Sequence, residues 1–234
     1  MSQMHTEGVT RAAQWGRTAI GHEYKGPEGD AVHRYLLPTI KRFLEGLPAG
    51  AAVLDLGCGN GSLTVAYTKR EWTIHGVDLS ETGVGWGRRA YPWIHFVMAD
   101  ATSDLTEVYG AGTFDAVVAA EIIEHLYLPR LLVRNAFRLL KPGGRFVVST
   151  PYHGYWKNLG LAIIGAMDSH FNALGDGWHI KFFSRRTLSR LLSEEGFQKL
   201  EFSGAGRAPY LWKSMVYRAW KPELSAEGSR RCNV

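Results

Sequence analysis

The sequence predicts an α/β protein built on a parallel sheet. Across its 234 residues, five short apolar segments alternate with helix-like segments, the pattern of repeated βα units. The first apolar run, near 51–56, leads into glycines at every second position, and the next run, near 73–78, ends in an acid. Because parallel strands end at one edge of a sheet, these features predict a ligand site there.

The remaining elements follow from the spacing of apolar residues. A helical rhythm covers Ala31–Gly46, where Pro38 is expected to introduce a kink. Amphipathic helices are predicted over Leu126–Leu140 and over Thr187–Glu195, the second ended by Gly196. Strands are predicted near 51–56, 73–78, 94–98, 113–119 and 144–150, with later candidates at Gln198–Ser203 and Ser214–Trp220.

The glycine turn, Asp55-Leu56-Gly57-Cys58-Gly59-Asn60-Gly61, indicates which ligand is held. Its Gly-x-Gly-x-Gly spacing differs from the Gly-x-Gly-x-x-Gly of dinucleotide sites. No Lys or Arg lies between Val53 and Thr68, so this is not the Gly-Lys-Ser/Thr phosphate loop. Asp55 suits an ammonium group better than a pyrophosphate, and Asp78 is placed to accept hydrogen bonds from a ribose. S-adenosylmethionine has an ammonium, a carboxylate and a ribose.

These motifs resemble those of class I S-adenosylmethionine-dependent methyltransferases. The turn resembles the family's first motif, Asp78 its ribose-binding acid, Met98–Ala101 its third motif, and Leu139–Gly144 the turn before its fifth strand. The resemblance implies a Rossmann-like parallel sheet with an antiparallel C-terminal strand, and a reaction that yields S-adenosylhomocysteine. It implies cofactor contacts by Arg34, Asp55, Gly57, Cys58, Gly59, Asn60, Gly61, Asp78, Leu79, Asp100, Ala101 and Glu121.

Within that family, His33-Arg34 and Glu121–His125 resemble segments of the quinone-pathway O-methyltransferases that act on polyprenyl catechols. By this resemblance Arg34 would reach the methionine carboxylate, a charge-assisted contact that suits a guanidinium. The predicted function is methylation of a small molecule, at oxygen on an aromatic or apolar acceptor. Alternatives are a lipid-quinone precursor, N- or C-methylation in a natural-product pathway, and a non-catalytic domain that binds the cofactor or a partner.

Acceptor specificity is expected in the aromatic- and glycine-rich segment Pro151–Gly177, which would hang over the pocket as a lid. The alternatives for this segment are a core-packing helix and, over Trp156–Met167, peripheral contact with a membrane surface. The substrate-binding candidates are Tyr24, Tyr152, Tyr155 and Trp156.

A phenol or alcohol acceptor must also lose a proton, and histidine is the natural base near neutral pH. His125 and His153 follow the fourth and fifth strands and are the catalytic candidates. The resemblance to the catechol-type quinone enzymes also allows Glu121, Glu124 and His125 to hold a divalent ion, and their spacing can put all three on one helical face. Acids equally favour a helix N-terminus, so no metal is predicted.

Composition and charge limit which partners and which cellular location we expect. The net charge of +5 comes from scattered basic residues, and the fourth strand lacks the Asn/Asp-Pro-Pro-aromatic motif of base methyltransferases, so no nucleic-acid partner is expected. The sequence has no apolar run as long as 18 residues, so no membrane span is predicted. Neither an N-terminal signal region nor a disulfide between Cys58 and Cys232 is expected. We therefore expect a cytoplasmic monomer or homodimer with an N-terminal lid segment (1–30), a catalytic domain (31–220) and a flexible tail (221–234).

Overall fold

The computed structural model describes residues 23–29, 32–171, 173–175 and 177–223. Most of the predicted N-terminal lid segment, most of the predicted tail, and Cys232 lie outside these ranges. The described residues form a three-layer αβα arrangement around a seven-stranded sheet.

The sheet has the strand order β3-β2-β1-β4-β5-β7-β6. The first five strands run parallel to one another, and β7 is antiparallel to both β5 and β6. The strands are β1 (Ala52–Leu56), β2 (Thr73–Asp78), β3 (Ile94–Met98), β4 (Phe114–Ala120), β5 (Leu140–Pro151), β6 (Gln198–Ala205) and β7 (Ser214–Trp220). The Rossmann-like prediction with an antiparallel C-terminal strand is confirmed.

Helices cover both faces of the sheet. One face carries α1, α2 and α3, and the other carries α5 and α8. The helices are α1 (Val32–Leu44), α2 (Ser62–Tyr67), α3 (Glu81–Ala90), α4 (Thr106–Tyr109), α5 (Pro129–Leu139), α6 (Tyr155–Ile163), α7 (Met167–Phe171) and α8 (Arg185–Glu194), with a 3₁₀ turn at Ile123–His125.

The core consists of two apolar clusters, one on each side of the sheet. Phe43 of α1 lies in one cluster, and Phe114 and Phe146 lie in the other; all three are fully buried. Truncating such a phenylalanine to alanine costs about 3–5 kcal/mol. These clusters pack the helices against the strands, and the parallel pairing places the carboxyl ends of β1, β2, β4 and β5 at the same end of the sheet.

Two predicted boundaries need correction. The fifth strand was predicted from 144 but begins at Leu140, which pairs with Phe114 before a register shift. Lys221, the first residue of the predicted tail, extends the antiparallel pairing of β5 with β7: its N–H donates to Gly144 O and its carbonyl accepts from Gly143 N–H. The Leu126–Leu140 helix is also shorter than predicted, because Ile123–His125 forms a separate turn and Pro129 starts α5.

Candidate functional site

The glycine turn between β1 and α2 has the left-handed geometry that its sequence predicts. Gly57, Gly59 and Gly61 have φ of 80°, 54° and 77°. A Cβ on Gly57 would lie 2.4 Å from Cδ1 of Ile122, so a larger residue would both strain the backbone and clash. The N–H groups of Gly57 and Cys58 donate to Val77 O, which joins the turn to the end of β2.

The side chain of Asp78 also joins the glycine turn to the end of β2. Its Oδ2 accepts from Gly59 N–H at 2.8 Å, and its Oδ1 accepts from Ser80 N–H at 2.7 Å. Ser80 is itself the N-cap of α3, since its Oγ accepts from Gly83 N–H. The half-buried carboxylate therefore sits at the meeting point of the glycine turn, β2 and α3.

Asp55 lies under the glycine turn and is almost wholly buried. Its Oδ2 accepts a 2.6 Å hydrogen bond from Thr64 Oγ1 of α2, while Oδ1 has no hydrogen-bond partner among the described residues. Burial raises the pKa of Asp55 to about 6. Beside it, Cys58 is a buried thiol whose pKa burial also raises, which makes it a packing residue rather than a reactive one.

Asn60 and Tyr24 attach the segment 23–29 to the glycine turn. The Asn60 amide donates to the carbonyls of Gly26 and Glu28 at 2.8 and 3.1 Å. Tyr24 packs its ring against Gly59, where an added Cβ would meet the tyrosine hydroxyl at 2.1 Å. The Trp86 indole donates to Tyr24 O, so the segment is also held by α3. The structure thus places Tyr24 at the glycine turn rather than among the lid residues.

The third motif follows β3. Asp100 Oδ1 accepts from both the backbone and the hydroxyl of Thr102 at 2.7 Å, and Ala101 is buried with its carbonyl bonded to Asn135. Leu79, at the end of β2, is 37% exposed. The parallel pairing of β2 with β3 brings Asp78 opposite Met98, so these residues lie at the same edge.

Arg34 lies exposed on α1, whereas Glu121 joins a polar network at the end of β4. Glu121 accepts from Ser149 Oγ at 2.8 Å and from Ser214 Oγ at 3.0 Å, and Ser214 lies 3.3 Å from the Tyr35 hydroxyl. The backbone φ of Glu121 is 52°, which is unusual for a residue other than glycine and changes the direction of the chain after β4. Desolvation raises the pKa of Glu121 to about 7. The serines and Tyr35 come from distant segments and were not predicted.

A second group of side chains forms after β4, where Glu124 and His125 meet the distant His179. Glu124 Oε1 lies 4.0 Å from His125 Nε2 and 3.9 Å from His179 Nε2. Burial, followed by the positive influence of His125, lowers the pKa of His179 to about 4. His179 is 54 residues from His125, so no local sequence pattern could have predicted this contact.

His153, the other catalytic candidate, is enclosed by aromatic rings. It stacks on Phe171 at 5.5 Å and meets Phe182 edge-on at 5.1 Å. Neither ring nitrogen has a hydrogen-bond partner among the described residues, and burial lowers the pKa of His153 to about 4. Such a group is a weak base at neutral pH, so its surroundings fit a packing role better than a catalytic one.

The lid segment forms α6 and α7, neither of which contains a buried residue. The core-packing alternative is therefore wrong for both helices. Tyr155 and Trp156 are exposed by 72% and 64%, whereas Tyr152 is a core residue packed edge-on against Trp212.

Two cavities of about 380 and 390 Å³ adjoin this segment. The first is lined by Phe171, Ala173, Gly175, Gly177, Trp178, His179, Ile180 and Phe182. The second is lined by Trp156, Lys157, Gly160, Leu161, Ile164, His170, Arg207, Leu211 and Lys213.

Comparison with known proteins agrees with this geometry. Residues 30–201 match the family model described as a methyltransferase domain. The chain belongs to this methyltransferase family. The methyltransferase is 34% identical over 179 residues to a ubiquinone biosynthesis O-methyltransferase of Thiobacillus denitrificans, an alignment covering 73% of each protein. It is 32% identical over 161 residues to the corresponding protein of Azoarcus sp., covering 67% of this chain and 68% of that one.

A solved structure supports the fold. The methyltransferase superposes on the YcgJ protein of Bacillus subtilis with a TM-score of 0.65 and 16% identity, over 80% of this chain and 98% of that one. The match to the family model and the named relatives show that the methyltransferase uses S-adenosylmethionine as its methyl donor, as the glycine turn predicts. None of the helices in the described ranges has the length and apolar character needed to cross a bilayer.

Proposed function

We propose that this methyltransferase transfers the methyl group of S-adenosylmethionine to a hydroxyl oxygen of an apolar aromatic acceptor, of the polyprenyl-catechol class. The observation that carries the proposal is the aromatic cavity of about 380 Å³, which adjoins the cluster at the end of β4. The names of the relatives from Thiobacillus denitrificans and Azoarcus sp. support an oxygen acceptor on a quinone precursor.

The cofactor fits the strand ends in our proposal because complementary groups are present there. Asp78 is the partner of the ribose hydroxyls. The buried Oδ1 of Asp55, which has no hydrogen-bond partner among the described residues, is the acceptor for the ammonium. Arg34 serves the carboxylate, and Asp100 with Ala101 serves the adenine. The bound cofactor supplies an electrophilic methyl carbon on a sulfonium.

The remaining cofactor candidates act through the shape of the turn. Gly57, Gly59 and Gly61 give the turn its left-handed shape at low steric cost, while Cys58 and Asn60 hold the turn against its neighbours. Leu79 covers the adenine edge, and Glu121 holds the end of β4 through its two serine partners.

The protein's contribution to rate is alignment. Holding an oxygen in line with the methyl carbon can supply up to about 7–11 kcal/mol. In our proposal the acceptor hydroxyl meets the protein near His125 rather than His153. His125 follows β4 and packs edge-on against His179, which lines the aromatic cavity, whereas His153 is enclosed and weakly basic.

Apolar surface favours a lipid-like acceptor over a small polar one. Trp156 and Leu211 line the second cavity, and Ile163 and Ile164 of the α6 region are exposed by 75% and 74%. In our proposal Tyr155 and Trp156 guide the apolar tail of the acceptor. The enzyme is proposed to act in the cytoplasm as a monomer or homodimer, with peripheral membrane contact through α6.

The test is turnover with three acceptors: a short-chain polyprenyl catechol, a soluble catechol without a tail, and an aromatic amine of similar size. We expect an O-methyl product by mass spectrometry, with kcat/KM highest for the tailed catechol. A preference for the amine would overturn the oxygen assignment. Cofactor binding by calorimetry without turnover of any acceptor would instead favour the non-catalytic alternative.

A further inference from the structure

The second cavity, of about 390 Å³, combines apolar walls with a group of basic side chains. Trp156 and Leu211 supply apolar surface, while Lys157, Arg207 and Lys213 supply three cationic groups. Among the described residues that line this cavity, none is Asp or Glu. Because ligand pockets are mainly apolar and hold a few polar groups that select the ligand, this excess of positive charge indicates what the cavity selects.

The fold brings the basic side chains together from two elements. Lys157 lies in the first turn of α6, and Arg207 and Lys213 lie in the connection between β6 and β7. The carbonyl of Tyr152 accepts from the Lys157 ammonium at 2.8 Å, and the N–H of Tyr152 donates to Lys213 O at 3.0 Å. Gly206 has φ of 103°, and a Cβ there would lie 2.9 Å from Cβ of Lys213, so the glycine leaves room for the lysine stem. One core residue thus anchors both the Lys157 ammonium and the backbone of Lys213.

The positive charges in this cavity are not neutralised by the protein. Burial, followed by the charge of Arg207, lowers the pKa of Lys157. Burial, followed by the charges of Lys157 and Arg207, lowers the pKa of His170, which also lines the cavity. Within the described ranges, none of the three cations forms an ion pair with a carboxylate. Because an unpaired charge is costly to bury, a bound anion would stabilise this group.

The cavity adjoins the polar network at the end of β4. The Lys213 ammonium lies 5.3 Å from the centroid of the Tyr35 ring, and the Tyr35 hydroxyl lies 3.3 Å from Ser214 Oγ. Ser214 in turn donates to Glu121 at 3.0 Å. The charge of Glu121 also reaches Lys157, although that carboxylate already accepts from two serine hydroxyls. A ligand in the second cavity would therefore lie beside the strand ends that hold the cofactor in our proposal.

We propose that the second cavity binds an oxyanion, a carboxylate or a phosphate carried on an apolar group, and that Lys157, Arg207 and Lys213 are its partners. Arginine offers a fork of N–H donors and lysine a mobile ammonium, and both suit these anions. Charge-assisted hydrogen bonds of this kind are about twice as strong as neutral ones. Trp156 and Leu211 cover the apolar part of the ligand.

The proposal narrows the class of the methyl acceptor. In the role that rests on the proposed function, the part of the acceptor that lies in this cavity carries the oxyanion. A plain hydrocarbon tail would fill the apolar walls but would leave the cations without a partner and displace their water. The acceptor is therefore an amphiphilic member of the proposed class.

The test compares three probes that share one apolar ring system: 2-naphthoate, 2-naphthyl phosphate and the neutral 2-naphthamide. Each is titrated into the full-length protein by calorimetry, without cofactor. We expect at least one anion to bind tighter than the amide by about tenfold or more, which corresponds to about 1.4 kcal/mol. Added salt should reduce this preference. Tighter binding of the phosphate or of the carboxylate identifies the oxyanion, and either order supports the site.

Variants locate the binding. Lys157→Gln and Lys213→Gln should each weaken binding of the preferred anion by about fivefold or more, because each loses a charged partner, and should leave the affinity for 2-naphthamide unchanged. The matched control is Lys41→Gln, which removes the same charge from an exposed position of α1 that does not line the cavity. It should bind all three probes as the wild type does.

Three results would overturn the oxyanion site. They are equal affinity of the wild type for the anions and the amide, an unchanged anion preference in both cavity variants, and equal weakening in Lys41→Gln. None of the probes carries an alcohol or phenol that could be methylated, and no turnover is measured. Failure of the oxyanion site is therefore separate from failure of the proposed function.

Discussion

Replacing Asp78 by alanine tests the core of the cofactor site. The change removes the acceptor of the Gly59 and Ser80 N–H bonds as well as the proposed partner of the ribose. A hydrogen bond to a charged group contributes about 1.5–3 kcal/mol. Loss of about 2–3 kcal/mol corresponds to a dissociation constant about 30- to 150-fold higher. We also expect unfolding to become easier by about 1–3 kcal/mol, since two backbone donors lose their partner.

The assay is isothermal calorimetry with S-adenosylhomocysteine, run beside thermal unfolding of the same samples. The matched control is Asp104→Ala, which removes the same charge and also an acceptor of a backbone N–H, that of Thr106, on an exposed surface. Asp104→Ala should bind the product as the wild type does. A folded Asp78→Ala protein with wild-type affinity would refute the ribose assignment, and equal weakening by Asp104→Ala would attribute the effect to net charge.

Three further predictions concern other residues of the site. Gly57→Ala should abolish cofactor binding and lower stability by about 1–3 kcal/mol, because a side chain at φ 80° would lie 2.4 Å from Ile122; calorimetry and thermal unfolding check both effects. Asn60→Ala should release the segment 23–29 and leave it open to proteolysis at native pH, whereas unchanged cleavage would show that the amide does not hold it. The third prediction concerns His153, whose pKa of about 4 lies below the unfolded value of 6.5. The unfolded chain therefore binds more protons at this histidine between these values, so His153 alone should lower the free energy of unfolding by up to about 3 kcal/mol as pH drops from 6.5 to 4. His153→Phe should lose less stability in urea titrations over that range and keep kcat, and a collapse of kcat would restore it as the base.

Much of the fold could be read from local pattern. The buried strands are short apolar runs, and amphipathic spacing marks α1, α5 and α8. The glycine turn could also be predicted from the sequence, because only glycine adopts three left-handed conformations so closely spaced at low steric cost. The end of α5 was harder to place, because the strand pairing of Leu140 with Phe114 depends on a distant partner.

The candidate site also contains some residues whose positions follow from local sequence and others whose positions depend on distant contacts. Asp55 and Asp78 could be placed because their positions relative to strand ends are set by a few residues of sequence. His153 was expected to be a base, but its enclosure by Phe171 and Phe182 depends on how the lid folds back. Tyr152 was expected to bind substrate but packs against Trp212, some 60 residues away in the chain.

The amino-acid sequence by itself determined the order of strands and helices, the glycine turn and the acid on the neighbouring strand, and with them the methyl donor. These features depend on short-range spacing, which a chain carries with it before it folds. Only the tertiary structure decided which histidine is enclosed, where Tyr24 lies, and that His179 meets Glu124 and His125. Those contacts join segments tens of residues apart, and burial and neighbouring charge, the causes of the pKa shifts, exist only once those segments are packed together.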